Sequence, residues 1–348
     1  MMRWQRVVLL ILLVGLCGLC PHGLQAAQQK GLDIYFIDVE GGAATLIVTP
    51  QRESLLVDCG WPGERDPARI AKVAKEVAGL KQIDHLIITH WHTDHAGDVA
   101  QLMKVIPVKN FYDRGIPDPL PRDVSRQQIE IYRQATQGKS IPLKPGDEIK
   151  LKSGSVPLKL RVLASSGIVL GEPPHAPQTR PCDRGHAAMP EDTSDNARSI
   201  AFLLSFGNFD FFDAGDLTWN VEHKLVCPTN LVGTVDVYQV THHGMDISNN
   251  PVLMQALQPR VAIMNNGPRK GGAAKTYARL KSVQGLEDIF QLHRNVQTTE
   301  EDNAPPAFVA NDEENCQGEF IHLSVDPTGQ TYTVAVPSKG TRRSYQTR

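Results

Sequence analysis

Ile83-Asp84-His85-Leu86-Ile87-Ile88-Thr89-His90-Trp91-His92-Thr93-Asp94-His95 is the stretch on which the fold of this chain turns. The run Ile83–Thr89 is short, apolar and rich in β-branched residues, so it reads as a buried strand. The residues that follow crowd three imidazoles and a carboxylate onto the loop at the strand's carboxyl end, where α/β proteins place their ligands. Alternation along that loop lets His90 and His92 face one cation while Asp94 and His95 turn to a second. Neutral imidazole and carboxylate suit zinc or a similar divalent ion. A chance cluster of surface histidines is the competing explanation, and the placement directly after a buried strand speaks against it.

Working outward, Leu32–Asp38 and Thr45–Thr49 read as strands around the Gly41-Gly42 turn, and Ser54–Val57 as a third. A helix is expected over Pro67–Val77, with Ile70, Val73, Ala74 and Val77 on its apolar side and Pro67 in its first turn. Strand, helix and strand in that order define an α/β unit. Two Pro-rich excursions interrupt the pattern near 111–145 and 171–195, the first carrying a helix at Val124–Gln137. Strands resume at Glu148–Leu151 and Leu158–Ala164. Ser199–Phe206 and Phe209–Phe212 form a hairpin about Gly207-Asn208. Asp236–Val240 is a strand ending at His242-His243. A helix at Pro251–Leu257, a strand at Val261–Met264 and a helix at Ala274–Val283 follow. Glu319–Val325 and Thr331–Val336 close the domain as a hairpin. One domain over 28–348 is expected.

The chain has 348 residues, 41% apolar and 21% charged, with formal net charge −2. That balance fits a globular protein and makes no case for a nucleic-acid-binding surface. Arg3 and Arg6 flank an apolar run at Val7–Leu19, and small residues follow at Ala26 and Ala27. The pattern is that of a secretory signal over 1–27, too short for a bilayer span. A secreted or periplasmic protein without a membrane span is therefore expected. Removing the signal takes Cys17 and Cys20 and leaves Cys59, Cys182, Cys227 and Cys316, whose three connectivities spacing cannot separate.

His90, His92, Asp94 and His95 match the HxHxDH motif of the metallo-β-lactamase superfamily, and the resemblance runs over nearly all of 31–295. Within it the chain resembles the hydrolase domain of bacterial DNA-uptake competence proteins, through Ile37–Ala44 as the opening strand and glycine turn. Leu55–Gly60 resembles the superfamily's first motif, which gives Asp58 the role of bracing the metal loop. Phe212–Asp216 resembles the Gly-Asp motif, which implies that Asp216 bridges two metals. A shared carboxylate offsets cation repulsion and fixes their separation near ~3.5–4 Å. Thr241–Gly244 resembles the last motif, with His243 favoured as ligand and His242 as a neighbour acting on substrate, proton or metal. Asn196 stands where much of the superfamily has a further His, which leaves the first metal position weakly supplied. His175 and His186 lie in the nearby excursion, more in the manner of solvated loop histidines.

The resemblance implies a four-layer αββα sandwich, an α/β fold, holding two divalent ions, zinc first with manganese or iron as the other candidates. Two cations sharing a water lower its pKa and provide hydroxide, with Asp94 orienting it and His242 serving as proton donor or oxyanion partner. Arg269 and Lys270, in the glycine-rich run Asn265–Gly272, are candidates for holding a phosphate, against the plainer reading of a solvated basic turn. Hydrolysis of phosphodiesters, in nucleotide or nucleic-acid-like substrates, is the leading expectation, with a small-molecule or phosphodiester substrate as the partner. Amide or lactone hydrolysis, including β-lactamase action, is the second, and a non-catalytic metal-binding protein the third.

Overall fold

The computed structural model describes residues 30–171, 182 and 187–348. The N-terminal segment 1–27, His175 and His186 lie outside them. Two mixed sheets face each other. The first runs Thr341–Gln346, Thr331–Val336, Ile321–Val325, Leu32–Phe36, Thr45–Val48, Ser54–Val57, Ile83–Ile87, Val108–Asp113, Ile141–Pro142. The second runs Val309–Asn311, Asp288–His293, Val261–Met264, Val237–Gln239, Phe209–Asp213, Ala201–Phe206, Leu158–Ser165, Glu148–Ile149, with Ile168–Val169 paired to Leu158–Ser165.

Side chains alternate across each strand, so a strand covered on both faces is apolar throughout. Ile34, Phe36, Ile47, Leu55, Val57 and Ile87 of the first sheet meet Phe202, Leu204, Phe211, Val237, Ile263 and Phe290 of the second. Their alternate neighbours Tyr35, Ile37, Leu46, Leu56 and Leu86 turn outward onto Ile70, Ala74, Leu102, Ile129 and Tyr132. On the far side Phe212, Tyr238, Ala262 and Met264 pack against Leu253, Leu257 and Leu280. Helices, sheet, sheet, helices: the chain is the expected αββα sandwich.

The sheets are antiparallel at one end and parallel at the other. Ser54–Val57, Ile83–Ile87 and Val108–Asp113 run parallel in the first sheet. Phe209–Asp213, Val237–Gln239, Val261–Met264 and Asp288–His293 run parallel in the second. Their carboxyl ends feed the segments that carry Asp58, the 89–95 loop, Asp216, the 241–244 turn and Lys270.

Several elements depart from the sequence expectation. The helix begins at Arg65 and its last turn, Val73–Val77, is π-helical, which rotates Val77 out to 45% exposure. Val108–Asp113 is a strand of the first sheet, so the excursion placed at 111 starts after Asp113. Asp288–His293, Val309–Asn311 and Thr341–Gln346 extend the sheets beyond the strands read from sequence. Helix Pro251–Leu257 stands where expected, with Asn250 Oδ1 accepting the Val252 N–H at 2.9 Å and Pro251 opening the first turn.

Phe211 is fully buried between the sheets, its ring edge-on to Phe36 at 5.9 Å and Phe202 at 6.2 Å between centroids. Phe211→Ala is expected to cost about 3–5 kcal/mol through lost transfer energy and the cavity left behind. The shift in denaturant midpoint at unchanged slope measures it.

Candidate metal centre

Asp58 organises the loop that follows strand Ile83–Ile87. It is buried with φ 60°, and its carboxylate accepts the Thr89 N–H, the Thr89 hydroxyl and His95 Nδ1, each at 2.7 Å. Bonds to a buried carboxylate are short and strong, so they fix both the loop and the ring of His95. Asp58 is thus placed as a brace. His243 Nδ1 faces the carbonyl of Asn265 at 3.3 Å. Both rings therefore keep a proton on Nδ1, which leaves each Nε2 as the nitrogen that would meet a metal.

Those two Nε2 atoms lie 3.1 Å apart. Asp94 Oδ2 is 3.3 Å from the first and 3.2 Å from the second; Asp216 Oδ2 is 3.2 Å and 3.3 Å from the same pair. Two carboxylates in one buried space repel unless positive charge lies among them. The His90 Nε2 atom, buried and without a hydrogen-bond partner among the described residues, is 3.9 Å from the same Asp216 oxygen, and His242 Nε2 is 3.5 Å from it. One carboxylate oxygen is thus the hub of four imidazole nitrogens, the arrangement of a bridging ligand in a dinuclear metal site. The donor set fits divalent metal: Asp94, His95 and His243 for one position, His90, His92 and His242 for the other, Asp216 shared.

Electrostatics agree. Burial works against ionisation of Asp94 and Asp216, yet the imidazoles of His95 and His243, with Lys270 beside Asp94 and His242 beside Asp216, hold both carboxyls well below their ordinary range. Burial also opposes a charge on His95, and Asp216, Asp94 and Asp58 overcome it to hold its pKa well above the ordinary imidazole value. A pocket that stabilises positive charge so strongly is built for cations.

His242 departs from the role of proton donor. Its Nδ1 is 3.0 Å from Ser248 Oγ, and the Ser248 hydroxyl donates onward to the Leu217 carbonyl at 2.7 Å. Ser248 therefore accepts the His242 Nδ1 proton, leaving a lone pair on Nε2. Burial also drops its pKa to about 4 despite Asp216, so the ring is neutral near pH 7. Asn196 Nδ2 lies 3.4 Å from that Nε2, and Asn196 Oδ1 is buried without a partner among the described residues. His242 thus brings an imidazole to the place where Asn196 offers only an amide.

The Nε2 of His92 meets Asp123 Oδ2 at 2.8 Å, leaving Nδ1 as the nitrogen for a metal. Of the two cations in the Asn265–Gly272 run, only Lys270 reaches the centre. Its ammonium contacts Asp94 and lies 4.9 Å over the Trp61 ring. The guanidinium of Arg269 is exposed and spent on Glu314 at 2.6 Å, so it is not brought to the site.

Asp123, Asp195 and Ser248 escaped the sequence reading, because an isolated Asp or Ser signals nothing until the fold sets it beside a ligand. Asp195 accepts the Trp91 N–H at 2.6 Å and pairs with buried Arg114. Beside this network a cavity of about 1050 Å³ opens between Arg114–Asp123 and Glu191–Arg198, parts of the two excursions. A second group, Asp38, His293 and Cys316, takes its positive charge from Arg69, 2.9 Å from Asp38, and forms an ion-pair network. Cys182 and Cys227 are joined by a disulfide, while Cys59 and Cys316 are free.

A sandwich of two mixed sheets with a two-cation donor set at their common edge defines the class. Residues 37–177 match the model of the metallo-beta-lactamase superfamily. It is 26% identical over 254 residues to ComE operon protein 3 of Bacillus subtilis (strain 168), covering 68% of this chain and 28% of that protein. It is 35% identical over 80 residues to an atrochrysone carboxyl ACP thioesterase of Passalora fulva, covering 21% of this chain and 23% of the relative. The chain thus spans less than a third of either relative. Among solved structures, CmlA, a diiron beta-hydroxylase from Streptomyces venezuelae, is similar at 18% identity and TM-score 0.38, over 75% of this chain and 48% of that one.

A ligand that binds only the folded state raises stability by about 2.7 kcal/mol at a hundredfold excess over its dissociation constant. Zinc added back to chelator-treated protein is expected to raise the melting temperature by several degrees, and Asp216→Ala to abolish most of that rise. Thermal unfolding with and without zinc checks both.

Proposed function

We propose that the chain is a metal-dependent hydrolase acting on phosphodiesters. The observation that carries this reading is the convergence of four imidazole nitrogens on Asp216 Oδ2, with Asp94 completing the set. A purely structural site needs neither a bridge nor a second position. When bound, a divalent pair supplies Lewis acidity and lowers the pKa of a water. Asp216, with Asp94, would hold the pair, and the Asp58–His95 and Ser248–His242 bonds keep the rings from turning away. Lys270 brings a cation to the rim, where an anionic substrate enters, and its ammonium matches a non-bridging phosphate oxygen. Likeness to the competence-type branch adds weight to a phosphodiester over an amide or lactone. Export from the cytoplasm belongs to the same proposal: the basic and apolar pattern at 3–19 and the Cys182–Cys227 disulfide both suit an oxidising compartment. Zinc leads as the metal, with manganese and iron alongside.

Protein loaded in turn with zinc, manganese and iron(II) is assayed on bis(p-nitrophenyl) phosphate and on a chromogenic cephalosporin. The diester is expected to be the better substrate. Asp94→Ala should lower its turnover about a thousandfold, since several kcal/mol of stabilisation are lost at about 1.4 kcal/mol per tenfold. Lys270→Ala should raise KM about tenfold, the worth of one charge-assisted hydrogen bond. Faster cleavage of the cephalosporin would transfer the assignment to amide hydrolysis. One tightly held inert metal with no turnover of either substrate would leave a binding protein.

A further inference from the structure

We propose that Asp123 is the positioning residue that makes His92 a metal ligand, and so decides whether the first of the two metal positions fills. This rests on the two-metal reading above. Asp123 Oδ2 takes His92 Nε2 and the Asp195 N–H, both at 2.8 Å. An ionised carboxylate only accepts, so the His92 proton is on Nε2 and the lone pair is on Nδ1. Ligating imidazoles are held this way elsewhere, with the far nitrogen donating to a carboxylate that fixes tautomer and ring orientation.

The first position depends on this anchor more than the second. His95 and His243 are wholly buried, whereas the His92 side chain is 20% exposed. Asn196 contributes no imidazole, so losing His92 would leave His90, His242 and Asp216 alone. Asp123 itself is carried by the excursion after Val108–Asp113, which is fastened to the metal loop. Trp91 Nε1 donates to the Gly115 carbonyl at 2.9 Å, Gln128 Nε2 to the Gly97 carbonyl at 2.6 Å, and Arg114 pairs with Asp195. The excursion is therefore a clamp on the metal loop.

Asp123→Ala removes the single oxygen that takes both the His92 Nε2 proton and the Asp195 N–H, so nothing holds that proton on Nε2 or fixes the ring. Zinc binding is measured by competition with a chromophoric chelator, for the full chain and for Asp123→Ala. Two zinc ions are expected on the unsubstituted chain. In Asp123→Ala the weaker dissociation constant should rise about 10–100-fold and the tighter one stay in place, with Asp123→Glu recovering part of the loss. A general packing defect would weaken both constants together and would overturn the proposal. So would unchanged zinc binding in Asp123→Ala, whether the unsubstituted chain holds one ion or two. A single ion, weakened by Asp123→Ala, would keep the role of Asp123 and overturn the two-ion reading.

Discussion

His95 and His243 point their Nε2 nitrogens at each other across 3.1 Å, with the carboxylates of Asp94 and Asp216 closing on the same space. Nothing in that arrangement is favourable without positive charge at its centre, so the protein has to hold the groups there by force of structure. The backbone shows how. His242 and His243 both adopt left-handed conformations, φ 56° and 53°, each costing on the order of 1–3 kcal/mol for a non-glycine residue. The turn is pinned on several sides: His242 N–H to the Gly215 carbonyl at 2.9 Å, the Gly272 N–H to the His243 carbonyl at 2.8 Å, and Asn249 Nδ2 to the Thr241 carbonyl at 2.9 Å. At Gly271 a Cβ would sit 2.1 Å from the His243 carbonyl oxygen, so only glycine lets that loop lie against the turn.

These constraints couple the site to the core between the sheets. His90, Asp94 and His95 follow a strand of the first sheet, while Asp216, His242 and His243 follow strands of the second. A slide of one sheet over the other would separate the two halves of the donor set. The packing of Phe36, Phe202, Phe211 and Phe290 between the sheets is therefore also what sets the distances at the edge. Asp58 extends the same logic locally, since three bonds to one buried carboxylate tie the metal loop to the neighbouring strand.

The parts legible in the sequence were those with local signatures. A strand running into His90–His95 needs only nearest neighbours to be recognised, and the layers follow from apolar runs of strand length. Val108–Asp113 and Asp288–His293 were harder, because each mixes polar residues into a short strand and gains its stability from a parallel neighbour distant in sequence. Asp216 and His243 were readable through their motifs. The protonation pattern was not, because it depends on Ser248 and on the Asn265 carbonyl, which the fold brings in from elsewhere. Lys270 and Arg269 are adjacent in sequence and identical in charge, yet only one faces the centre. No propensity separates them; the path of the Gly267–Gly272 turn does.

The two metal positions are consequently unequal in how they are built. Asp94, His95 and His243 come from the motifs and are wholly or nearly buried, and their second nitrogens, where they have one, are held by Asp58 and a backbone carbonyl. The other position lacks an imidazole at Asn196 and recovers one from His242, which the left-handed turn brings to 3.5 Å from the Asp216 oxygen that His243 also faces. His92 is set by a carboxylate outside the motif. The elements that finish this weaker position, Asp123 and the Asp195–Asn196 segment, also line or adjoin the large cavity. The support of His92 and the walls of that cavity thus depend on the same stretches of chain, and a change in either excursion acts on both.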